Sequence, residues 1–240
     1  MHLARLCLLL LPCCFALTSP VAAKFKEAAM RLPDELAQAE RLPVTGRQGW
    51  KLIERLQFGD FSVHDVRRSL TKGGDLQVLF YEGSKRRQTF GFTLTGSGPT
   101  VWRGAAATNL RRRALDLGVE VEMRNKSGFS AHLFPADAPE AVWTLALHEK
   151  GEKPLAGTLS RGVDTIAVQG TNRLAGSVFR LADTAGYTFA IGGRPIAAVE
   201  VINHGAVWLA PELDPAWRGP VTAAIAALLL FEELRPTLPE

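Results

Sequence analysis

The chain has 240 residues, is 47% hydrophobic and carries a net charge of +4 at pH 7. A chain of this length suits a single domain, and its mixed charge is not that of a nucleic-acid-binding surface. Its 3 cysteines, Cys7, Cys13 and Cys14, all lie near the N-terminus. The rest of the chain therefore has no disulfide, no thiolate nucleophile and no cysteine-based metal site.

The first 23 residues have the features of a cleavable secretory signal. Arg5 supplies a positive charge, residues 6–17 are densely apolar, and Val21 and Ala23 are small residues at the −3 and −1 positions of a cleavage site. The apolar run is much shorter than the about 20 residues that span a bilayer, which argues against a retained anchor. We predict cleavage after Ala23 and export to the periplasm or the extracellular space.

Lipoprotein processing at Cys13 or Cys14 is the alternative for this segment. Such processing needs a small residue immediately before the cysteine, and here Pro12 precedes Cys13. A lipid anchor would change the relation to the membrane without changing the fold. We therefore expect the unlipidated form.

Residues 24–46 are predicted to form a lead-in segment that rests on the domain. Their composition favours a helix, but Pro33 and Pro43 limit any helix to short pieces. From residue 47 the pattern changes to the alternation typical of strands, so we place the main domain at 47–240.

Strands are the predominant prediction from there to the C-terminal region. Residues 119–123 alternate strictly between apolar and charged side chains, and residues 90–94 and 143–147 alternate as well. Further strands are predicted at 58–70, 76–81, 100–106, 129–134, 155–159, 165–169, 177–181, 187–191, 195–202 and 206–209. Glycine-rich turns separate them, as expected for antiparallel neighbours. Residues 109–117 are the exception, because their apolar residues are at helical spacing.

A helix is predicted at 214–235. Asp214 is a good N-cap, Pro215 suits the first helical position, and Pro220 is expected to kink or restart the helix. Residues 221–231 are apolar on every face, so they must be surrounded by protein or lipid. This run rises only about 16 Å, roughly half of a bilayer core, which favours enclosure by the sheet.

The predicted fold class is mostly β, a closed antiparallel barrel of about 12 strands around a buried C-terminal helix. The alternative is a β-sandwich with the helix packed against it. Residues 186–230 (a hairpin, a last strand, then Leu213 and Asp214 leading into the apolar helix) resemble the end of the tubby-like barrel of tubby proteins and phospholipid scramblases. The resemblance implies that the helix fills the barrel, but a shared architecture does not transfer a function.

The residues do not predict catalytic chemistry. His64, His132, His148 and His204 are not at metal-pair spacing with other ligands, and the chain has no phosphate loop or dinucleotide fingerprint, so no metal and no cofactor are expected. His64 and Asp65 are an adjacent histidine–carboxylate pair, and as neighbours in a strand they are predicted to point to opposite faces. A hydrolase-type enzyme using the His64/Asp65 region remains the alternative function.

Binding is the better-supported class of function. Arg111, Arg112 and Arg113, with Arg103 nearby, form a basic cluster that either is the solvated face of a short helix, the reading we favour, or attracts lipid headgroups or an anionic envelope polymer. The five tryptophans are expected to pack in the core or at its rim; they are Trp50, Trp102, Trp143, Trp208 and Trp217. We expect a monomeric, exported, non-enzymatic envelope protein that binds an amphiphile or a protein partner and no nucleic acid.

Overall fold

A computed structural model of the protein describes residues 28–47, 55–68, 89–96, 98–108, 128–150 and 153–231. These residues form twelve strands and one α-helix. The strands are β1 (Arg41–Thr45), β2 (Leu56–Phe58), β3 (Phe61–Arg68), β4 (Thr89–Thr95), β5 (Trp102–Thr108), β6 (Gly128–Pro135), β7 (Trp143–Lys150), β8 (Lys153–Arg161), β9 (Asp164–Thr171), β10 (Gly186–Ile191), β11 (Arg194–Glu200) and β12 (Ala206–Leu209). The helix is α1 (Pro215–Leu230), and a short 3-10 helix lies at Asp34–Leu36.

The strands form one closed antiparallel barrel in which each strand pairs with its neighbours in sequence. Closure comes from β1, which pairs with β12 on one side and β2 on the other. Alternate side chains face the interior, as in β4, where Phe90, Phe92 and Leu94 are buried and the residues between them are only partly buried. The predicted barrel is confirmed, and the sandwich alternative is wrong.

Helix α1 occupies the interior of the barrel. Every residue from Pro220 to Leu230 is buried. The helix contacts β5 and β6 on one wall and β11, which lies across the barrel in the strand order. A helix without a polar face is thus stabilised on all sides by the inward-facing apolar side chains of the sheet.

The two ends of α1 are each held by side chains. The Asp214 carboxylate accepts a hydrogen bond from the Ala216 amide at 2.8 Å and so caps the N-terminus. At the other end, Arg68 of β3 donates to the Leu230 carbonyl at 3.2 Å. The helix runs through Pro220 without ending there. Residues 232–235, the end of the predicted helix, lie outside the described residues.

A glycine in the first half of α1 has a packing reason. A Cβ at Gly219 would lie 2.6 Å from Cζ2 of Trp102, closer than a carbon can approach. The absence of a side chain therefore lets the helix lie directly against the Trp102 ring at the entrance of the barrel.

Strand β1 lies in the stretch that we assigned to a lead-in segment, so the barrel begins at Arg41. Pro43 lies within this strand although proline lacks an N–H for the ladder. The Val44 amide donates to Gly205 on the β12 side, so the nitrogen of Pro43 faces the β2 side. Strand β2 ends at Phe58, opposite Val44, and no ladder bond is lost at Pro43.

Two of the other predicted strands also differ from the structure. The predicted strand 58–70 is divided by a turn in which Gly59 has φ +53°, giving β2 and β3. Residues 177–181 form a loop, with only Arg180 in an isolated bridge to Arg173. The predicted strands 76–81 and 119–123 and the predicted helix 109–117 lie outside the described residues.

The segment before β1 covers part of the outer wall. Leu36 is fully buried, and the Asp34–Leu36 turn packs against β11. The Met30 amide donates to the buried carboxylate of Glu200 at 2.6 Å. This cover explains why β11 is buried on both faces from Ile196 onward.

Candidate functional site

The predicted basic cluster is only partly described by the structure. Arg111, Arg112 and Arg113 lie outside the described residues. Arg103 is exposed on β5, where it pairs with Phe134 of β6 and Thr93 of β4. Whether the four arginines form one cluster therefore stays a prediction.

His64 and Asp65 are brought together, against the prediction that they point to opposite faces. His64 Nδ1 lies 2.9 Å from Asp65 Oδ2. The pairing of β3 with β4 shifts between His64 and Arg67, and Asp65 has φ +52°. The alternation rule fails here because a β-bulge turns the carboxylate back onto the face of its neighbour.

On the outer surface of the barrel, the Asp65 carboxylate orients the imidazole of His64. The side chains of His64 and Asp65 are 31% and 66% exposed. A nucleophilic hydroxyl within hydrogen-bond reach of the imidazole would make such a pair the base of a hydrolase. Among the described residues, Asp65 is the hydrogen-bond partner found for His64. The contact supplies an orienting group and leaves the nucleophile unidentified.

A second polar group lies on the outward face of β6 and β7, and the sequence did not predict it. His132 and Ser130 are each only 2% exposed, although the inward residues of β6 are Phe129, Ala131 and Leu133. Strand β6 is thus buried on both faces from Gly128 to Leu133. The unbroken run of non-charged residues in β6 is the sequence signal that indicates this.

Burial sets the chemistry of this group. Desolvation lowers the pKa of His132, because the charged imidazolium loses its hydration. His132 Nδ1 lies 3.4 Å from the Thr144 hydroxyl, directly across the strand pair. Among the described residues, the buried Ser130 hydroxyl has no hydrogen-bond partner. A neutral imidazole and a free hydroxyl are present, but two residues along one strand separate them by about 7 Å.

The tryptophans have packing roles where the structure describes them. Trp143 and Trp208 are buried, while Trp102 and Trp217 are partly buried against the core. Trp143 and Trp217 meet edge to face with 5.5 Å between ring centroids, at the end of the barrel where α1 begins. Trp50 lies outside the described residues.

Among the residues that the structure describes, the loop between β9 and β10 exposes two neighbouring large apolar side chains. Val178 and Phe179 are 92% and 79% exposed, and Arg173 and Arg180 flank them. We predicted a strand here from alternation alone. The sequence signal that points to a surface loop is Gly176, which has φ +68° and precedes the apolar pair.

Within the described ranges, no group of three or more His, Cys, Asp or Glu side chains is placed to hold a metal ion. None of the helices described is long and apolar enough to cross a membrane. No protein-family model, no curated protein and no solved structure matches this chain, so its candidate functions rest on its own residues.

Proposed function

We propose that this protein is an exported, non-enzymatic binding module of the cell envelope, which recognises an amphiphile or a protein partner from its outer surface. The observation that supports the proposal is the position of α1. The buried helix fills the interior of the barrel, so this space is already taken by the chain itself. A partner would therefore bind to the outer surface. Loops and the outer strand faces are then the binding surfaces.

The architecture also supports a likeness in fold to the tubby-like barrel. Twelve antiparallel strands closed around a terminal apolar helix form the arrangement that the resemblance to tubby-like proteins implied. We propose the same architecture for this chain and not the same activity, because one fold carries many functions.

The first test of the proposal asks whether the protein is exported and where its signal is cleaved. We expect cell fractionation to find the protein in the periplasm or the medium, with Lys24 at its N-terminus by mass spectrometry. Ala23→Arg is the matched variant, since a large charged residue at −1 blocks cleavage. An intact Met1 on cytoplasmic protein would contradict export. An acylated Cys13 or Cys14 would instead show lipoprotein processing.

The hydrolase alternative rests on one specific observation, the 2.9 Å contact between His64 and Asp65. It is tested by assaying the purified protein against chromogenic esters beside His64→Ala. The binding-module proposal expects the two proteins to have equal, background rates. A rate above background that His64→Ala abolishes would establish the enzyme in its place.

A further inference from the structure

The loop between β9 and β10 presents two large apolar side chains to solvent. Val178 and Phe179 are 92% and 79% exposed. Among the described residues, Val163 in the turn between β8 and β9 is the only other large hydrophobic residue with such exposure. Adjacent apolar side chains at the tip of a loop are characteristic of a surface that binds a partner.

The main chain of the loop is well supported, so this exposure is built into the fold. The Leu181 amide donates to the Asn172 carbonyl at 2.9 Å, and the Asn172 side chain donates back to the Leu181 carbonyl at 3.0 Å. At the tip, the Phe179 amide donates to the Ser177 hydroxyl at 3.1 Å. The loop is thus closed at its base and turned at its tip, which holds the apolar pair outward before any partner is bound.

Three arginines form a row across the base of the loop. Met30 bridges Leu174, and the Arg31 amide donates to the Arg173 carbonyl at 3.0 Å, which places Arg31 opposite Arg173. Arg173 in turn bridges Arg180. Residues directly opposite in antiparallel pairing share a face, and like charges in such positions repel each other. All three arginines are exposed.

Within the described part of the chain, no ion pair is found for Arg31, Arg173 or Arg180. The ion pairs found there join His64 to Asp65, Arg161 to Asp164 and Arg194 to Glu212, and none involves the row. The acidic side chains near the row in sequence are Asp183 in the loop and Asp34 and Glu35 after Arg31, and the ion pairs found in the described residues do not join them to it. The backbone pairing thus places three exposed arginines side by side next to the apolar pair, an arrangement that suits the binding of anions.

We propose that this loop docks on an anionic lipid bilayer, with Phe179 and Val178 inserted among the acyl chains and Arg31, Arg173 and Arg180 bound to the phosphate headgroups. The inference rests on the proposed envelope function and names the amphiphile. Arginine side chains bury their stems and keep their charged ends at the interface, so they suit a position beside an inserted ring. Two side chains cover far less than the about 1,600 Å² of a standard protein–protein interface.

The test is flotation of the purified protein with lipid vesicles. The vesicles are made of phosphatidylcholine alone or of phosphatidylcholine with about one third phosphatidylglycerol, which is anionic. All variants share one N-terminus, so any contribution of residues 1–23 cancels in their ratio. We expect the parent to bind the anionic vesicles at least tenfold better, with binding that weakens as salt rises. Each of Arg31→Gln, Arg173→Gln and Arg180→Gln should reduce the partition coefficient about fivefold.

The apolar pair is tested separately from the arginines. Val178→Ser with Phe179→Ser should reduce partitioning at least tenfold, an order-of-magnitude expectation for two lost apolar anchors. Val163→Ser is the matched apolar control, because Val163 is 99% exposed in a turn at the opposite end of the barrel. Arg194→Gln is the matched cationic control, since Arg194 is paired with Glu212. Both controls should bind as the parent does, and thermal unfolding confirms that each variant is folded.

Several outcomes would overturn the proposal. Equal binding to neutral and anionic vesicles, or loop variants that bind as tightly as the parent, would exclude this docking site. A loss with the arginine variants but not with the serine pair would indicate an anion-binding surface without insertion. A photo-reactive residue at position 178 that captures an envelope protein, with no vesicle binding, would assign the loop to a protein partner. In each case the export test above is unaffected, so the two failures are distinguishable.

Discussion

The guanidinium of Arg68 donates to the carbonyl oxygen of Leu230 at 3.2 Å, so the barrel wall is bonded to the last turn of the helix that it encloses. The same guanidinium lies 5.4 Å from the centroid of the Phe90 ring. The final carbonyls of a helix have no partner within the helix, and a cation near them is favourable. Arg68 therefore closes the helix where it meets the sheet.

Arg68→Ala is expected to destabilise the barrel by about 1.5–3 kcal/mol, because it removes a charged hydrogen-bond donor from a buried carbonyl. The free energy of unfolding in urea measures this loss. Arg67→Ala is the matched control, since Arg67 is exposed one residue earlier in the same strand. Equal losses in the two variants would show that the contact with Leu230 does not stabilise the fold.

The small residues of α1 are expected to reject larger ones. Ala223, Ala224, Ala226 and Ala227 are fully buried, because the helix is surrounded by the barrel. Ala224→Leu should cost about 1–3 kcal/mol by overpacking, although it makes the helix more hydrophobic. Changing any of the four alanines to Glu should prevent stable folding, since a buried charge has no partner there. A single Glu variant with the thermal stability of the parent would contradict the central position of α1.

Acid is expected to destabilise the fold through His132. Burial lowers the pKa of this histidine below its usual value of 6.5 in the folded state, so the unfolded chain binds the proton more tightly. The neutral, buried His132 therefore contributes its full stability above pH 6.5, and this contribution is lost as the pH falls from 6.5 towards the lowered pKa of the folded state. The free energy of unfolding in urea is measured between pH 7.5 and 5, a range of about one pH unit or more on each side of 6.5. It should fall less over this range for His132→Asn than for the parent. Parallel profiles would contradict this role.

The bulge at Asp65 is expected to tolerate glycine but not a β-branched residue. Asp65 has φ +52°, the left-handed region in which a Cβ is crowded. Asp65→Val should therefore cost about 1–2 kcal/mol, while Asp65→Gly should leave stability close to that of the parent. Thermal unfolding compares the two. If both variants lose the same stability, the loss comes from the His64 contact and not from the backbone.

Patterns with a single physical cause could be predicted from the sequence. Residues 90–94 alternate because one face of β4 is buried, and residues 221–231 are apolar on every face because the barrel surrounds α1. Asp214 and Pro215 marked the start of that helix for local reasons of capping, and they begin it in the structure. Each of these signals lies within one segment, so no knowledge of distant neighbours was needed.

Other features depended on which segments meet, and only the tertiary structure decided them. Pro43 fits within a strand because β2 ends before reaching it. The His64–Asp65 contact needs a bulge that alternation does not reveal, and the exposure of Phe179 follows from where its loop leaves the barrel. Arg31 is far from Arg173 and Arg180 in the chain, and they form one row only because residues 29–31 pair with the loop. Local composition predicted most of the strands and the helix, whereas the row of arginines beside Phe179 arises from contacts between segments distant in sequence.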